Sequence, residues 1–431
     1  MPGPTEGELF DSEYETEPVP QDKRRSLLAV TSVWAGFPMI ITGAVTGAAL
    51  VHGLGFTRGL LAMVIGNVLL FAYVGTLSAL AAKRGLNFSL QASKTFGSVG
   101  YVACSALLST LVLGWFAVQT GLVGASMASS FDVNTTVVVI LAGVLFTAFT
   151  LLGIRALSLI GAVSVPLFLV LGVFAAVDAS TSGASLWSYA GDSSQSLAFG
   201  VGVTLVFALF ADSGTMTADF TRWAKNPRHA WIAASSAFPV GNLFAMLIGG
   251  VIAAASQSAT GDVFGVVVGH GGWLSVVAVV FLFVNLGSVC THCLYNSAMG
   301  WSTILKSRMR LLTLVLGTLG IVIAALGIWN HFIDWLNLLG VIVPPIGAII
   351  LVDQLLTRPS AEHLVPRVRW QPFFAWAFGS GLALLANHLA PNLSTVVVGL
   401  VCSAGSYYAV SLATAREPEP VPVGAGEGTL G

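Results

Sequence analysis

Long apolar runs, separated by short polar or basic connections, make up almost the whole chain. About twenty mostly apolar residues cross a bilayer as a helix. Runs of that order lie near 27–50, 57–82, 99–126, 135–153, 157–178, 196–219, 229–256, 272–299, 310–328, 331–354, 371–389 and 393–413. They predict twelve membrane spans with both termini on one side. The basic residues sort to match: 17 of the 18 Lys and Arg fall on the N-terminal side, and only Arg58 on the other. The positive-inside rule makes the N-terminal side cytoplasmic. The loops are too short for a soluble domain, so function must reside within the bundle.

Some runs are not ordinary helices. Span six delivers Phe210-Ala-Asp212-Ser213-Gly214-Thr-Met-Thr-Ala-Asp219 where hydrocarbon should continue. A charged side chain mid-membrane costs about 2.5–3.5 kcal/mol on insertion scales and persists where it faces a cavity, a partner or an ion. Gly214 loosens the backbone, and Ser213, Thr215 and Thr217 can bond the groups a break would free. The pattern predicts two half-helices with an irregular joint near 211–215. Asp219, close to Arg222, reads as half of a structural charge pair or as a helix-end residue. Span one holds Pro38 between Gly36 and Gly43; proline removes a backbone donor and predicts a break there too. Interrupted segments at corresponding places in two halves point to a transport site near the midplane. On span three, Trp115 and Gln119 are four apart and share a face. On span eight, Asn285, Ser288 and His292 do the same; His292 reads as a hydrogen-bonded core histidine. Pro344-Pro345 predicts a bend in span ten.

Composition narrows the class. The chain is 55% hydrophobic and 9% charged, with a mean hydropathy of +0.87, whereas soluble domains carry about 25% charged residues. A net charge of −1 gives no basis for nucleic-acid binding. The four cysteines lie in apolar runs. Cys290-Thr-His-Cys293 reads as buried small residues, with no second ligand cluster to make a metal site. Residues 1–25 hold seven acidic groups before Lys23-Arg24-Arg25 and no apolar signal segment; they and 414–431 read as disordered tails. Residues 26–354 read as the core, with 355–413 adding helices eleven and twelve. No metalloprotease motif or serine-nucleophile elbow occurs, so an enzyme is not expected. Neither is a pump, since no Walker motif occurs.

Gly66-Asn67, Gly114-Trp115-Phe116, Gly214-Thr-Met-Thr-Ala-Asp219-Phe220, Leu294-Tyr295 and Pro344-Pro345-Ile-Gly347, in this order and spacing, resemble the nucleobase–cation symporter-1 family, most closely its bacterial cytosine and purine permease branch. The resemblance covers roughly residues 25–412. It implies an all-α membrane protein with the five-plus-five inverted repeat of the sodium-coupled leucine transporters. The repeats would span about 27–178 and 196–354, with helices one and six discontinuous. It further implies alternating-access import of a nucleobase-like heterocycle across the bacterial cytoplasmic membrane, coupled to Na⁺ or H⁺. No cofactor is expected, and the protein is expected to work as a monomer. The ring would lie between Trp115 and Phe210, with Gln119, Asp212, Ser213, Gly214, Asn285 and Cys290 around it. The cation site would use Gly36, Phe37, Met39, Asn285 and Ser288, with Asp212 as a coupling group.

The chain departs from that pattern. Val112 stands where the cytosine branch carries glutamine, while Gln119 resembles the hydantoin-type branch. Asp212 replaces a serine. Val289 replaces the second span-eight hydroxyl, which weakens a Na⁺ site built from oxygen ligands. Coupling is therefore expected through a proton on Asp212 or through a weakened Na⁺ site. The other reading is a transporter of the same fold for an amine, an amino acid, a hydantoin or a vitamin-precursor pyrimidine.

Overall fold

The computed structural model describes residues 13–181, 185–257, 261–358 and 365–415. Residues 1–12 and 416–431, most of the expected tails, lie outside the described residues. The described secondary structure is helical apart from one isolated bridge between Arg25 and Ala224.

The first expected span is two helices, α1 (Leu27–Gly36) and α2 (Ile41–Leu54), bent by 50°. Then come α3 (Phe56–Arg84), α4 (Phe88–Phe96), α5 (Tyr101–Ser130), α6 (Thr135–Thr150) and α7 (Ile154–Ser180). The sixth is divided into α8 (Phe199–Ala208), α9 (Ala211–Thr215) and α10 (Ala218–Thr221). The seventh is α11 (Pro227–Ser235) and α12 (Leu243–Ser256), joined by π-helical turns over Ser236–Asn242 that contain Pro239. The remainder are α13 (Val263–Gly269), α14 (Gly272–Leu305), α15 (Met309–Ala325), α16 (Phe332–Ile342), α17 (Pro344–Val352), α18 (Trp370–Leu389) and α19 (Thr395–Ala415). The proline pair separates α16 from α17. Among the described residues, seven helical segments are long and apolar enough to cross a membrane alone, and α1 with α2 passes that test as a bent pair. The short α4 and α13, inside connections, were not foreseen.

Burial is inverted relative to a soluble protein. Leu141, Val170, Val276 and Val401 point outward and are more than 60% exposed, while Asn67, Gln119, Asp212, Asn242, Asn285 and His292 are fully buried. A bare apolar exterior suits lipid. Polar side chains inside then bond neighbouring helices, because no water reaches them there. Glycines set the closest approaches: a Cβ on Gly36 of α1 would lie 2.2 Å from Gly161 Cα of α7. A larger residue would wedge those helices apart.

Residues 13–25 differ from the expected free tail. They run across the end of the bundle as a strap. Arg222 donates to the carbonyl oxygens of Glu13 (2.7 Å) and Tyr14 (2.8 Å) rather than pairing with the Asp219 carboxylate as expected. Asn87 (2.7 Å) and Thr303 (2.8 Å) donate to Glu15 O, and Val19 N–H donates to Gly85 O at 2.9 Å. The Glu13 carboxylate accepts from the Tyr295 hydroxyl (2.9 Å) and from Ile154 N–H (3.2 Å). It fits only because position 153 is glycine: the backbone there has φ +67°, and a Cβ would fall 1.9 Å from Glu13 Oε1.

Burial holds the Glu13 carboxyl above its ordinary value of 4.5, against the opposing pull of Tyr295, Arg222 and the Ile154 N–H. A carboxyl raised on folding contributes stability that is full below its unfolded value and is lost as pH rises through the folded one. Wild-type protein in detergent is therefore expected to lose melting temperature as pH rises above 4.5 relative to Glu13→Gln. A constant difference between the two melting curves across that window would contradict the buried carboxyl.

Candidate functional site

The break in the first span follows from Pro38. Having no N–H, proline cannot continue the ladder. Phe37 N–H turns back to Trp34 O (3.2 Å), Ile40 N–H to Pro38 O (3.0 Å) and Gly43 N–H to Ile40 O (2.9 Å). The carbonyls of Val33, Gly36 and Met39 thereby lose their usual helical donors. In a membrane interior such groups must be met by protein, and α14 meets them. Ser288 Oγ donates to Gly36 O (2.9 Å) and Asn285 Nδ2 donates to Met39 O (2.7 Å). Asn285 Oδ1 accepts from Ile41 N–H (2.9 Å), and its Nδ2 also reaches Ser164 Oγ of α7 (3.1 Å). His292 places its ring nitrogens 2.9 Å from Val33 O and 2.6 Å from Ser288 O. The Phe37 ring stacks on this imidazole at 4.7 Å and 7°. The structure thus brings Gly36, Phe37, Met39, Asn285 and Ser288 together. Their carbonyl, amide and hydroxyl oxygens are the hard ligands a Na⁺ ion takes; Val289 adds none.

In the sixth span the irregular backbone is not at 211–215 as expected. Those residues form α9, and the interruptions flank it, at Phe210 (φ −131°, ψ 21°) and Met216 (φ −83°, ψ 13°). Local polar bonds hold the central turn: Thr215 Oγ1 donates to Ala211 O (2.6 Å), and Asp212 Oδ1 accepts from Ser213 N–H (2.7 Å). Gly214 lies inside this turn. Its role is close approach to α3, since a Cβ there would be 2.7 Å from Val74 Cγ2.

The Asp212 side chain is fully buried, and its Oδ2 has no hydrogen-bond partner. The Trp115 indole N–H, also unpartnered, faces it without closing a bond. Cys293 lies beside Ser213 and Asp212, although only Cys290 was singled out from sequence. Cys290 instead packs between α5 and α14, its Sγ 3.5 Å from Thr120 Oγ1 and 3.8 Å from Phe116 O. Gln119 Nε2 donates to Thr42 Oγ1 of α2 (3.0 Å), leaving Oε1 unpartnered. The two rings expected to sandwich a cargo have other neighbours. Phe210 packs against Phe37 (5.3 Å) and Phe238 (5.7 Å), and Trp115 against Phe332 (5.7 Å). Both rings are buried, Trp115 at 3% and Phe210 at 2% exposure. Sequence reasoning also missed Thr42, Ser164 and Asn242. Asn242 donates to Asn67 Oδ1 at 3.0 Å and keeps its own Oδ1 unpartnered. Their signal was a polar residue in an apolar run, which is shared by many packing residues.

Residues 18–412 match the family described as permeases for cytosine/purines, uracil, thiamine and allantoin. The cytosine permease of Escherichia coli strain K12 is 32% identical over 393 residues, covering 90% of this chain and 91% of that protein. In fold, the chain superposes on Mhp1, a nucleobase–cation-symport-1 family transporter, in a closed conformation with bromovinylhydantoin bound. The TM-score is 0.80 at 17% identity, over 95% of this chain and 96% of that one. Against inward-facing Mhp1 it falls to 0.74 at 18% identity, over 93% of each chain.

Asn285→Leu should strand Met39 O and Ile41 N–H in a dry interior, at about 1–3 kcal/mol for each unsatisfied group. A clear drop in melting temperature is expected, larger than for Cys290→Ala, measured on purified protein in one detergent. Equal melting of the two variants would show that the break does not depend on Asn285.

Proposed function

The chain belongs to the nucleobase–cation symporter-1 family and is a multi-pass membrane permease of nucleobase type, and from this premise we propose that it imports a planar amino-substituted heterocycle, such as cytosine or a purine, by cation symport with alternating access. In this reading all twelve apolar stretches cross the membrane and 26–354 form the transport core. Its inverted repeats cover about 27–178 and 196–354. Both termini are cytoplasmic in the bacterial membrane, and the monomer is the working unit.

One observation carries the reading: a fully buried carboxylate whose Oδ2 makes no hydrogen bond of ordinary geometry is approached by the Trp115 indole N–H where the sixth span is interrupted. Buried polar atoms in native proteins are nearly always paired, so unpaired ones that converge mark the place of a guest. The exocyclic amino group of such a ring offers an N–H that a carboxylate accepts, and the ring nitrogen beside it offers a second when protonated. On cargo entry Trp115 and Phe210 would leave their present neighbours and take the ring between them.

For the coupling ion, the reading favours a proton. The Gly36 and Met39 carbonyls carry hydrogen bonds from Ser288 and Asn285, and Val289 offers no oxygen. Asp212 provides a group that can take up and release a proton within the site. The second reading, a hydantoin or a cationic amine as cargo, draws on Gln119 and Asp212 and keeps the same site and fold.

The test is radiolabelled cytosine uptake into proteoliposomes under separate Na⁺ and pH gradients. Wild type should accumulate cytosine on a pH gradient without Na⁺. Asp212→Asn should lose that accumulation while retaining exchange. Trp115→Ala should raise KM about 10-fold, in keeping with about 1–3 kcal/mol per stacked base. A strict Na⁺ requirement with no pH dependence rejects the proton. Uptake of a hydantoin or an amine, but of no base, selects the second reading.

A further inference from the structure

A second group of unpartnered polar atoms lies on α14, three residues past Cys293, and on the neighbouring α5. Both Asn296 Oδ1 and Asn296 Nδ2 lack a hydrogen-bond partner, and Asn296 is fully buried. The hydroxyl of Ser109 on α5, also fully buried, is likewise unpartnered. The neighbours of Asn296 along its helix fix where it points. Cys293, three residues earlier, lies beside Asp212 and Ser213. Gly300, four residues later, packs on Ser109 and Met216, whose Oγ and Cε would lie 1.9 Å and 3.7 Å from a Cβ placed there. Residues three and four apart share a helix face. Asn296 is therefore bracketed on the face that looks at α5 and the interrupted sixth span. It stands about 4.5 Å along the helix from Cys293.

A buried primary amide that bonds nothing is costly, because it has given up its hydrogen bonds to water for none in return. Its chemistry shows what would relieve the cost. It offers one acceptor and one donor side by side, the complement of a ring N–H next to a carbonyl. Asp212, by contrast, offers acceptors alone when ionised. Asn296 can therefore meet the N–H and C=O of a ring, a pair that the ionised Asp212 carboxylate, with no donor, cannot meet.

We propose that Asn296, flanked by Ser109, is a specificity-determining subsite that binds the adjacent N–H and C=O of a planar heterocycle whose amino edge faces Asp212. This rests on the transporter reading above and adds to it the substrate class: a ring carrying both edges.

The test uses purified full-length protein and two probes. Cytosine carries both edges; 4-aminopyrimidine keeps the amino edge and lacks the N–H/C=O pair. Affinity is measured by competition binding and the scaffold by melting without ligand. Asn296→Leu is expected to weaken cytosine about 10-fold or more, since two hydrogen bonds at about 0.5–1.5 kcal/mol each are lost. Binding of 4-aminopyrimidine should change little. The ligand-free melting temperature should hold or rise, because an unsatisfied amide has been replaced by an apolar side chain. Ser109→Ala should act in the same direction, more weakly. A variant that melts lower or does not fold places Asn296 in the scaffold and overturns the proposal, as does equal weakening of both probes. Wild-type binding of cytosine that Trp115→Ala abolishes and Asn296→Leu leaves intact overturns the subsite alone. Wild-type protein that binds neither probe overturns the subsite and the nucleobase reading together.

Discussion

The architecture turns on one requirement: a backbone broken inside a membrane must find its hydrogen bonds within the protein. Pro38 breaks the first span, and the carbonyls of Val33, Gly36 and Met39 leave the helical ladder. A single face of α14, carrying Asn285, Ser288 and His292 at helical spacing, takes them up. Asn285 serves both sides of the break at once, as donor to Met39 and acceptor from Ile41. Removing any of these side chains would strand a peptide group, so the break and the face of α14 must be kept together. The Gly36–Gly161 contact then holds α7 against the same segment.

The broken backbone of the first span is met by the Asn285, Ser288 and His292 side chains of α14, although Thr31 Oγ1 and Trp34 Nε1 of α1 are unpartnered. Asp212 Oδ2 of the sixth span is unpartnered as well, as are Trp115 Nε1 and Gln119 Oε1 on α5 and the Asn296 amide on α14.

Much of the frame was legible in the sequence. Proline inside an apolar run dictates a break near 38, and Pro344-Pro345 separates α16 from α17 for the same reason. Asp212 stood out because a carboxylate in hydrocarbon needs a cause. What the sequence hid was partnership. Nothing in the spacing shows that Gln119 bonds Thr42, or that Phe210 packs against Phe37 and Phe238. Gly214 looked like a hinge, yet its missing Cβ makes room for Val74. Helix α4 was too short to register as a separate run. The strap was misjudged because its acidic, proline-containing composition matches that of a disordered tail. It is held largely through main-chain carbonyls, which composition does not encode.

That strap carries a mechanical consequence. Its carbonyls and the Glu13 carboxylate take donors from the connection after α3, the start of α7, the end of α10 and the C-terminal turns of α14. These helix ends belong to both halves of the chain, so none can swing away without dragging or shedding the same thirteen-residue ribbon. Parting on this face is thereby made collective, and its stiffness is set outside the hydrocarbon, by an extended peptide that the pattern of spans does not reveal.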